Sequence, residues 1–358
     1  MRPKISVCLI MGMVLLHVVS ETGLFAGTKK QLGTAGAMEL ILPVGCRGSA
    51  LGGNYTAGIS GVEAVFWNPA GMAATNRSSE LMASRMNYIA DIDVNYMAVQ
   101  GSSSKVGVVG FSLKSLDFGA IPVTTEYAPD GTGETYSPAY TVIGISFSRA
   151  MTNRINIGVT SKLISEKIMN TSATGVAFDF GVQFRSDIGL EIGVTLRNFG
   201  TGMKFDGTDL ERQVDLQTYA EDPIAAKEAL RIVSQPVEFP TTMDIGFSYR
   251  YRPSMRHQCI TMLNFRNNHF GFDQYGAGLE YQYSLQGFQM TARTGGSVFH
   301  DVEDNRYRMK DDEVLYGPSF GGGIDFRLSE DLSLSVDYAY QTAKRFSDPE
   351  WISFTFKF

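Results

Sequence analysis

From residue 179 onward, single charged side chains stand between apolar neighbours, and they are the first candidates for chemistry. Residues at alternate positions of a strand point to the same face. On such a face, these charges could line a polar interior, pair with cations or bind a polar ligand. The candidates for lumen-facing charges are Asp179, Glu191, Arg197, Asp244, Glu280, Asp325 and Asp337.

Catalysis and metal binding find little support in the sequence. His257, His269 and His300 are not in a recognisable nucleophile setting such as a G-x-S-x-G elbow. The acidic loop 301–313 is rich in oxygen ligands, but it lacks the glycine of a calcium-binding EF-hand turn, so a solvated acidic loop is the default interpretation. No zinc spacing occurs either. We therefore expect no enzyme activity, no metal and no cofactor.

The first residues have the layout of a signal peptide. Arg2 and Lys4 precede an apolar run over 5–19, and small residues follow. We expect residues 1–26 to be the signal peptide, with cleavage after Ala26, or alternatively after Ser20. Cys46 and Cys259 would then be the remaining thiols, and pairing between them is not favoured. A net charge of −6 without a basic block disfavours a nucleic-acid partner.

Short segments of period-two alternation recur almost to the end of the chain, and they predict strands that cross a membrane. In one of them, Leu334, Val336 and Tyr338 alternate with Ser335 and Asp337. A membrane-spanning strand needs about 9 to 11 residues with apolar side chains toward lipid. Residues 79–358 are thus predicted to form an all-β transmembrane antiparallel barrel of about 14 strands. The predicted strands are 80–88, 92–101, 105–114, 139–149, 154–166, 173–185, 188–198, 241–251, 257–266, 273–284, 287–296, 318–328, 331–341 and 351–358.

The lengths of the connections support this count. Every second connection is a short turn, whereas the three longest gaps, 115–138, 198–240 and 297–317, all fall in the other class. Short turns face the periplasm in bacterial outer-membrane barrels. We expect an outer-membrane protein of a Gram-negative-type bacterium, with both termini periplasmic. Within 198–240, Asp222 as N-cap, Pro223 and the run 225–233 predict a helix.

The final strand carries large apolar groups on one face. They are Ile352, Phe354, Phe356 and Phe358. An aromatic last residue is the usual assembly signal of bacterial barrels, so outer-membrane lipid and the barrel-assembly machinery are expected partners. A soluble protein rarely leaves such a row exposed on an edge strand. The strand should close the wall by pairing near 79–88.

The segment between the predicted signal and the first strand resembles a known family. It looks like the start of PorV/PorQ family proteins in four stretches. These are Gly33-Thr34-Ala35-Gly36, residues 40–47, Ala50-Leu51-Gly52-Gly53 with Tyr55 and Ala57, and Val62 to Gly71, which ends in Trp67-Asn68-Pro69-Ala70-Gly71. That family is a branch of FadL-type outer-membrane proteins. The resemblance implies a fourteen-stranded barrel with residues 27–78 folded inside as a hatch.

The hatch candidates are Arg47, Trp67, Asn68, Pro69 and Gly71. Asn68 before Pro69 favours an extended conformation followed by a turn, and Gly71 tolerates a positive φ. Arg47 would need a carboxylate or water in the lumen. We favour a role for Arg47 and Asn68 in holding the hatch, with ligand contact as the alternative.

Two functions follow from the resemblance. FadL-type proteins pass hydrophobic molecules, so transport of hydrophobic or amphipathic, fatty-acid-like small molecules across the outer membrane is expected. The alternative is a PorV-like partner of the type IX secretion system that receives secreted proteins at its outer mouth. The partner is accordingly a hydrophobic small molecule or a component of the secretion system.

Overall fold

The wall consists of fourteen long strands in the part of the chain that the computed structural model describes, residues 33–103, 105–215, 227–301, 306–308 and 315–358. This confirms the predicted strand count, with boundaries shifted by a few residues. The predicted signal peptide lies outside the described residues. The strands are β1 (Ser79–Asn87), β2 (Asp93–Ser103), β3 (Gly107–Asp117), β4 (Ala139–Ala150), β5 (Ile155–Ile168), β6 (Thr171–Arg185), β7 (Leu190–Gly200), β8 (Thr242–Tyr251), β9 (His257–Asn268), β10 (Asp273–Ser284), β11 (Phe288–Asp301), β12 (Tyr316–Arg327), β13 (Ser333–Ala343) and β14 (Glu350–Lys357).

The sheet closes on itself. Each strand pairs antiparallel with its sequence neighbours, and β14 pairs with both β13 and β1. Ala83 lies opposite Phe354 across the closing seam. The backbone N–H of Phe358 donates to the carbonyl of Ser79 at 2.9 Å. Closure leaves no edge strand, which a sheet in lipid requires because its backbone groups cannot bond to water there.

The two faces of the wall differ in polarity, as strand alternation requires. On β6, Phe178 and Phe180 are exposed on the outside, whereas Asp179 and Gln183 are buried inside. Exposed apolar side chains recur on the outer face of the other strands. Such a band is stable against lipid and costly in water, so the fold is that of a transmembrane barrel.

The connections divide the barrel into a short-turn end and a long-loop end. The long connections join β3 to β4, β7 to β8 and β11 to β12. The first contains a small hairpin of Ile121–Pro122 with Thr135–Tyr136. Two further short strands pair with strands of the wall: Asp206–Gly207 pairs with the start of β6, and Arg306–Arg308 pairs with the end of β11. Both ends of the described wall, Ser79 and Phe358, lie at the short-turn end.

The prediction of a helix in the longest loop is wrong for the residues that the structure describes. Residues Lys227–Arg231 form a strand that pairs with Glu211–Asp215, and Asp222 and Pro223 lie outside the described residues. Five residue pairs face one another across the two strands of this hairpin, which hydrogen-bond as an antiparallel ladder. Helix propensity is a weak local preference, and pairing with another segment of the same loop overrides it.

Residues 33–78 precede the wall and contain only short helices. They are the 3₁₀ helices Met38–Leu40 and Pro69–Ala74 and the α-helices α1 (Cys46–Ala50) and α2 (Ala64–Trp67); two further 3₁₀ turns, Ile89–Asp91 and Thr208–Leu210, lie in the loops. Among the described residues, every helix is too short or too polar to span a membrane. The largest buried cluster joins Leu51, Tyr55 and Phe66 of this segment to Tyr96 and Met262 of the wall. The core therefore lies between the segment and the inner face of the wall.

Candidate functional site

Residues 33–78, here called the internal segment, are bonded to strands on several sides of the lumen. The Asn54 amide donates to the carbonyls of Ala277 and Gly296, at 3.2 and 3.1 Å. On other strands, Gln183 donates to the Ile59 carbonyl at 3.0 Å and Ser148 donates to the Ala70 carbonyl at 3.2 Å. The segment therefore occupies the inside of the barrel. Whether it works as a hatch stays a prediction.

Glycines on the inner face of the wall make room for this segment. A Cβ at Gly193 would overlap the Thr56 carbonyl, and one at Gly181 would overlap the Asn68 side chain. Gly158 and Gly295 face the backbones of Pro69 and Leu51 in the same way. Such close approach of two backbones is possible only without a side chain. Glycine at inward positions of successive strands is the sequence signal that would have located the contact.

The turn at 68–71 is built by Asn68 and Pro69. Asn68 is extended, with φ −158° and ψ 101°, and its side chain accepts from the Ala70 N–H at 3.2 Å as the N-cap of the following 3₁₀ helix. Its amide donates to the Thr56 carbonyl at 3.0 Å. Gly71 is not among the residues with a positive φ. A Cβ there would lie 2.6 Å from the Ile59 carbonyl, so close approach is the constraint on this position.

Trp67 is buried beside this turn. Its indole N–H donates to the Val44 carbonyl at 3.1 Å, and its ring meets Phe66 edge to face at 5.1 Å between centroids. A Cβ at Gly48 would overlap the indole, so α1 packs directly on it. The Arg197 guanidinium lies 5.8 Å from the Phe66 and Trp67 ring centroids. Trp67 thus connects the two halves of the internal segment and approaches a charged side chain of the wall.

Arg47 binds one carboxylate of the wall in a bidentate manner. Its Nε and Nη2 donate to the two oxygens of Glu280, each at 2.7 Å. Arg293 donates to the same carboxylate at 2.8 Å and also to Asp337. Arg47 in addition lies 4.8 Å from the Tyr55 ring centroid. The network joins α1 to three strands of the wall, β10, β11 and β13.

A second charged network stands on the strands that face Trp67. Asp244 accepts from Arg197 at 3.1 Å, from Arg266 at 2.7 Å and from Asn264 at 3.0 Å. Arg266 also donates to the carbonyl of Gly53 at 3.3 Å. The Nε of Arg197 is buried and has no hydrogen-bond partner among the described residues. Two guanidinium groups against one carboxylate leave this corner positively charged.

The remaining predicted charges also point inward and are paired, but they do not meet one another. Asp179 binds Lys162 at 2.5 Å and accepts from the Asn198 N–H at 2.8 Å. Glu191 binds Arg185 at 2.8 Å, and Asp325 binds Lys357 at 3.0 Å. The predicted set of lumen-facing charges left out the basic partners: Lys162, Arg185, Arg266, Arg293 and Lys357. Their inward positions on the alternating strands were the available signal.

Two cavities flank the internal segment. The larger, about 380 Å³, lies at the long-loop end, and the smaller, about 200 Å³, lies at the short-turn end. Ser49 and Gly53 line the larger cavity, whereas Arg47 lines the smaller one. The start of α1 therefore separates the two spaces.

The larger cavity is mainly apolar. The internal segment contributes Met38, Ile41, Leu42, Pro43 and Trp67, and the wall and loops contribute Met86, Tyr88, Phe270, Phe272, Phe299 and Tyr316. Arg197 and Arg266 line it too. A concave apolar site with a few convergent polar groups is typical of small-molecule binding.

The smaller cavity is polar. It is lined by Arg47, Glu63, Arg293, Asp337 and Lys357, among others. Burial raises the pKa of Glu63 to about 7, and Asp337 acts in the same direction, while Arg47, Arg293 and Lys357 oppose it. Among the described residues, no group of three or more histidine, cysteine or acidic side chains could hold a metal ion. Cys46 and Cys259 are free thiols.

A closed fourteen-stranded wall with a segment inside and an apolar cavity at one mouth defines the class: a transmembrane β-barrel with an occupied lumen. Solved structures with this fold include the Pseudomonas putida toluene transporter TodX, at 11% identity over 87% of this chain and 96% of that chain, with a TM-score of 0.55. The CymD monoaromatic hydrocarbon channel matches at 11% identity over 88% and 96%, with a TM-score of 0.52. A Pseudomonas aeruginosa FadL homologue matches at 11% identity over 88% and 98%, with a TM-score of 0.51.

At this identity, the likeness concerns the fold alone. No protein-family model matches the sequence, and no curated protein matches it either.

Proposed function

We propose that the protein passes hydrophobic or amphipathic small molecules across the outer membrane. The observation that carries the proposal is the apolar cavity of about 380 Å³ at the long-loop end, between the internal segment and the wall. The sequence resemblance to FadL-type proteins and the likeness in fold to a toluene transporter and a hydrocarbon channel support it. In this proposal, the long loops face outward and both termini face the periplasm.

The charged side chains beside the cavity determine which ligand chemistry it suits. Arg197 and Arg266 face a single carboxylate, Asp244, so the excess positive charge suits a small anionic head as well as a neutral molecule. Beyond the cavity, α1 blocks the way to the short-turn end. Passage therefore requires displacement of part of the internal segment or an opening in the wall.

The identity of the ligand is accessible through the purified protein. We expect apolar or amphipathic molecules to co-purify with it and to be detected by mass spectrometry after extraction. A Ser297→Phe variant places a ring from the inner face of β11 into the cavity, whereas Val298→Phe places the same ring on the outer face of the same strand. Loss of the bound molecules in the first variant only would support the proposal, and equal retention in both would contradict it.

A second candidate is a PorV-like role as a partner of the type IX secretion system. It rests on the N-terminal motifs that resemble PorV/PorQ proteins, and in it the longest loop, with the hairpin of Glu211–Asp215 and Lys227–Arg231, would bind the partner. A pull-down from cells with a type IX system tests it. Replacement of the hairpin by a short Gly-Ser linker should then abolish association with a large translocon barrel or with secreted substrates.

We also propose that the barrel-assembly machinery inserts the chain by its last strand. Ile352, Phe354 and Phe356 are exposed on the outer face of β14, and Phe358 bonds to Ser79 at the closing seam. The edge of an assembling sheet stays open until the last strand pairs with the first. The apolar row on that last strand is therefore buried in lipid at the end of assembly.

A further inference from the structure

Six short turns at one end of the barrel each expose a large apolar side chain. The turns are 105–106, 151–154, 186–189, 252–256, 285–287 and 328–332, and they are called the short-turn rim below. Their exposed apolar side chains are Val106, Met151, Ile188, Met255, Leu285 and Leu328. Ile188 is 72% exposed and Met255 is fully exposed. None of the six belongs to a buried cluster of the described residues.

These side chains continue the apolar outer face of the wall. Phe147, Phe288 and Phe326 are exposed on the strand ends beside them. At the opposite ends of the strands, apolar side chains such as Met169 and Phe199 are exposed beside the charged Arg85, Asp117 and Lys167. The apolar outer face of the wall therefore reaches the short-turn rim and includes it. Side chains of this size are costly to leave in water when they recur in a ring.

Basic side chains accompany the apolar ones on this rim. The exposed basic residues at the turns and adjacent strand ends are Lys105, Arg149, Arg154, Arg252, Arg256 and Arg327, against the exposed acids Asp187, Glu330 and Asp331. Arg154 is paired with Asp187. Lys105, Arg149, Arg256 and Arg327 form no ion pair with any described residue. One guanidinium group can donate two parallel hydrogen bonds to the oxygens of a phosphate, so these side chains suit a surface of phosphate groups.

We propose that the short-turn rim is a lipid-binding surface that inserts its apolar side chains into the adjoining leaflet and binds the headgroups of anionic phospholipids. A lipid leaflet is the partner that fits the distribution of apolar and basic side chains on the short-turn rim. The apolar side chains encircle the barrel and are continuous with its lipid-facing wall, whereas a protein partner would need them on one patch. This inference goes beyond transport, and it holds or fails independently of the ligand.

The depth of the turns in a bilayer tests the apolar part. In the chain without the predicted signal peptide, which carries Cys8, a Cys259→Ser background leaves the buried Cys46, and a spin label is attached at Ile188→Cys or Met255→Cys. Tyr127→Cys, on a fully exposed loop at the other end, is the matched control. In liposomes of phosphatidylcholine and phosphatidylglycerol, labels at 188 and 255 should collide with oxygen more than with a water-soluble nickel chelate, and the control should show the reverse. Labels at 188 and 255 that behave like the control would overturn the proposal.

Lipid preference tests the charged part. Native mass spectrometry of the protein in micelles with equal amounts of the two lipids should find more phosphatidylglycerol than phosphatidylcholine bound. The fourfold variant Lys105→Gln, Arg149→Gln, Arg256→Gln and Arg327→Gln should lower phosphatidylglycerol binding by roughly tenfold, because each basic side chain contributes attraction near an anionic surface. Lys167→Gln at the opposite end should not. Equal binding of both lipids by the unmodified protein would overturn the assignment.

Discussion

Arg47 and Glu280, 233 residues apart in the chain, are joined by two hydrogen bonds of 2.7 Å between the internal segment and the wall. Glu280 is fully buried and also accepts from Arg293. A bidentate pair fixes orientation as well as distance. The contact therefore sets where α1 stands in the lumen, between the apolar and the polar cavity.

Loss of Glu280 should destabilise the barrel strongly. Glu280→Gln leaves Arg47 and Arg293 without their shared charge, and breaking a buried pair from one side costs about 3–5 kcal/mol. The free energy of unfolding from urea titration of the refolded protein measures it. Arg85→Gln breaks the exposed pair with Asp93 and should cost at most about 1 kcal/mol. Similar losses in the two variants would count against the anchoring role of Arg47.

The inner glycines should be intolerant of side chains. Gly193→Val drives a side chain into the Thr56 carbonyl, and overpacking of this kind costs about 1–3 kcal/mol. Gly101→Val is the matched control, since a Cβ there meets nothing within 4 Å. Trp67 and Trp351, both buried, report the displacement as a red shift of tryptophan emission. An unshifted spectrum and unchanged stability in Gly193→Val would show that the segment does not press on this strand.

The stability of the protein should fall as pH rises through the range in which Glu63 titrates. Its pKa is raised from 4.5 to about 7, so the folded state holds the proton more tightly than the unfolded state. The resulting stabilisation is complete below about pH 4.5 and is lost as pH rises to about 7. Unfolding free energies at intervals of pH measure the slope. Glu63→Gln should flatten the profile in this window, and Glu126→Gln in an exposed loop should leave it as it is; equal slopes in Glu63→Gln and the unmodified protein would refute the assignment.

Removal of Phe358 should impair assembly and leave export intact. Phe358 donates to Ser79 and accepts from Ser78 across the seam, so its loss shortens the pairing that closes the wall. Cell fractionation should find the truncated chain in the periplasm instead of the outer membrane. Phe346→Ala, in an exposed loop, is a control that removes an aromatic group away from the seam. Normal membrane insertion without Phe358 would mean that the last residue is dispensable.

The strands could be predicted because lipid imposes a simple pattern on them. A wall with lipid outside and polar groups inside must alternate, so segments such as 173–185 and 331–341 are visible in the sequence, and the lengths of the connections fix the parity. The helix at 225–233 failed for the opposite reason. Its evidence was local propensity, whereas Lys227–Arg231 is held by pairing with Glu211–Asp215.

The contacts of the lumen could be predicted only in part. Alternation placed Asp244, Glu280 and Asp337 on the inner face, but the choice of Glu280 as the partner of Arg47 among six carboxylates depends on how α1 is packed. The glycines at 158, 181, 193 and 295 carried information about that packing. They become interpretable only when the path of the internal segment is known.

Uptake of a hydrophobic compound by whole cells tests the central claim most directly. The protein is expressed in the outer membrane of a Gram-negative host that lacks a hydrophobic-compound channel of its own, and entry of a labelled long-chain fatty acid or of labelled toluene is followed. Transport predicts faster uptake with the unmodified protein and with Val298→Phe than with empty cells, and slower uptake with Ser297→Phe, which fills the apolar cavity. Uptake of both compounds at the rate of empty cells, with the protein folded in the outer membrane, would contradict the account.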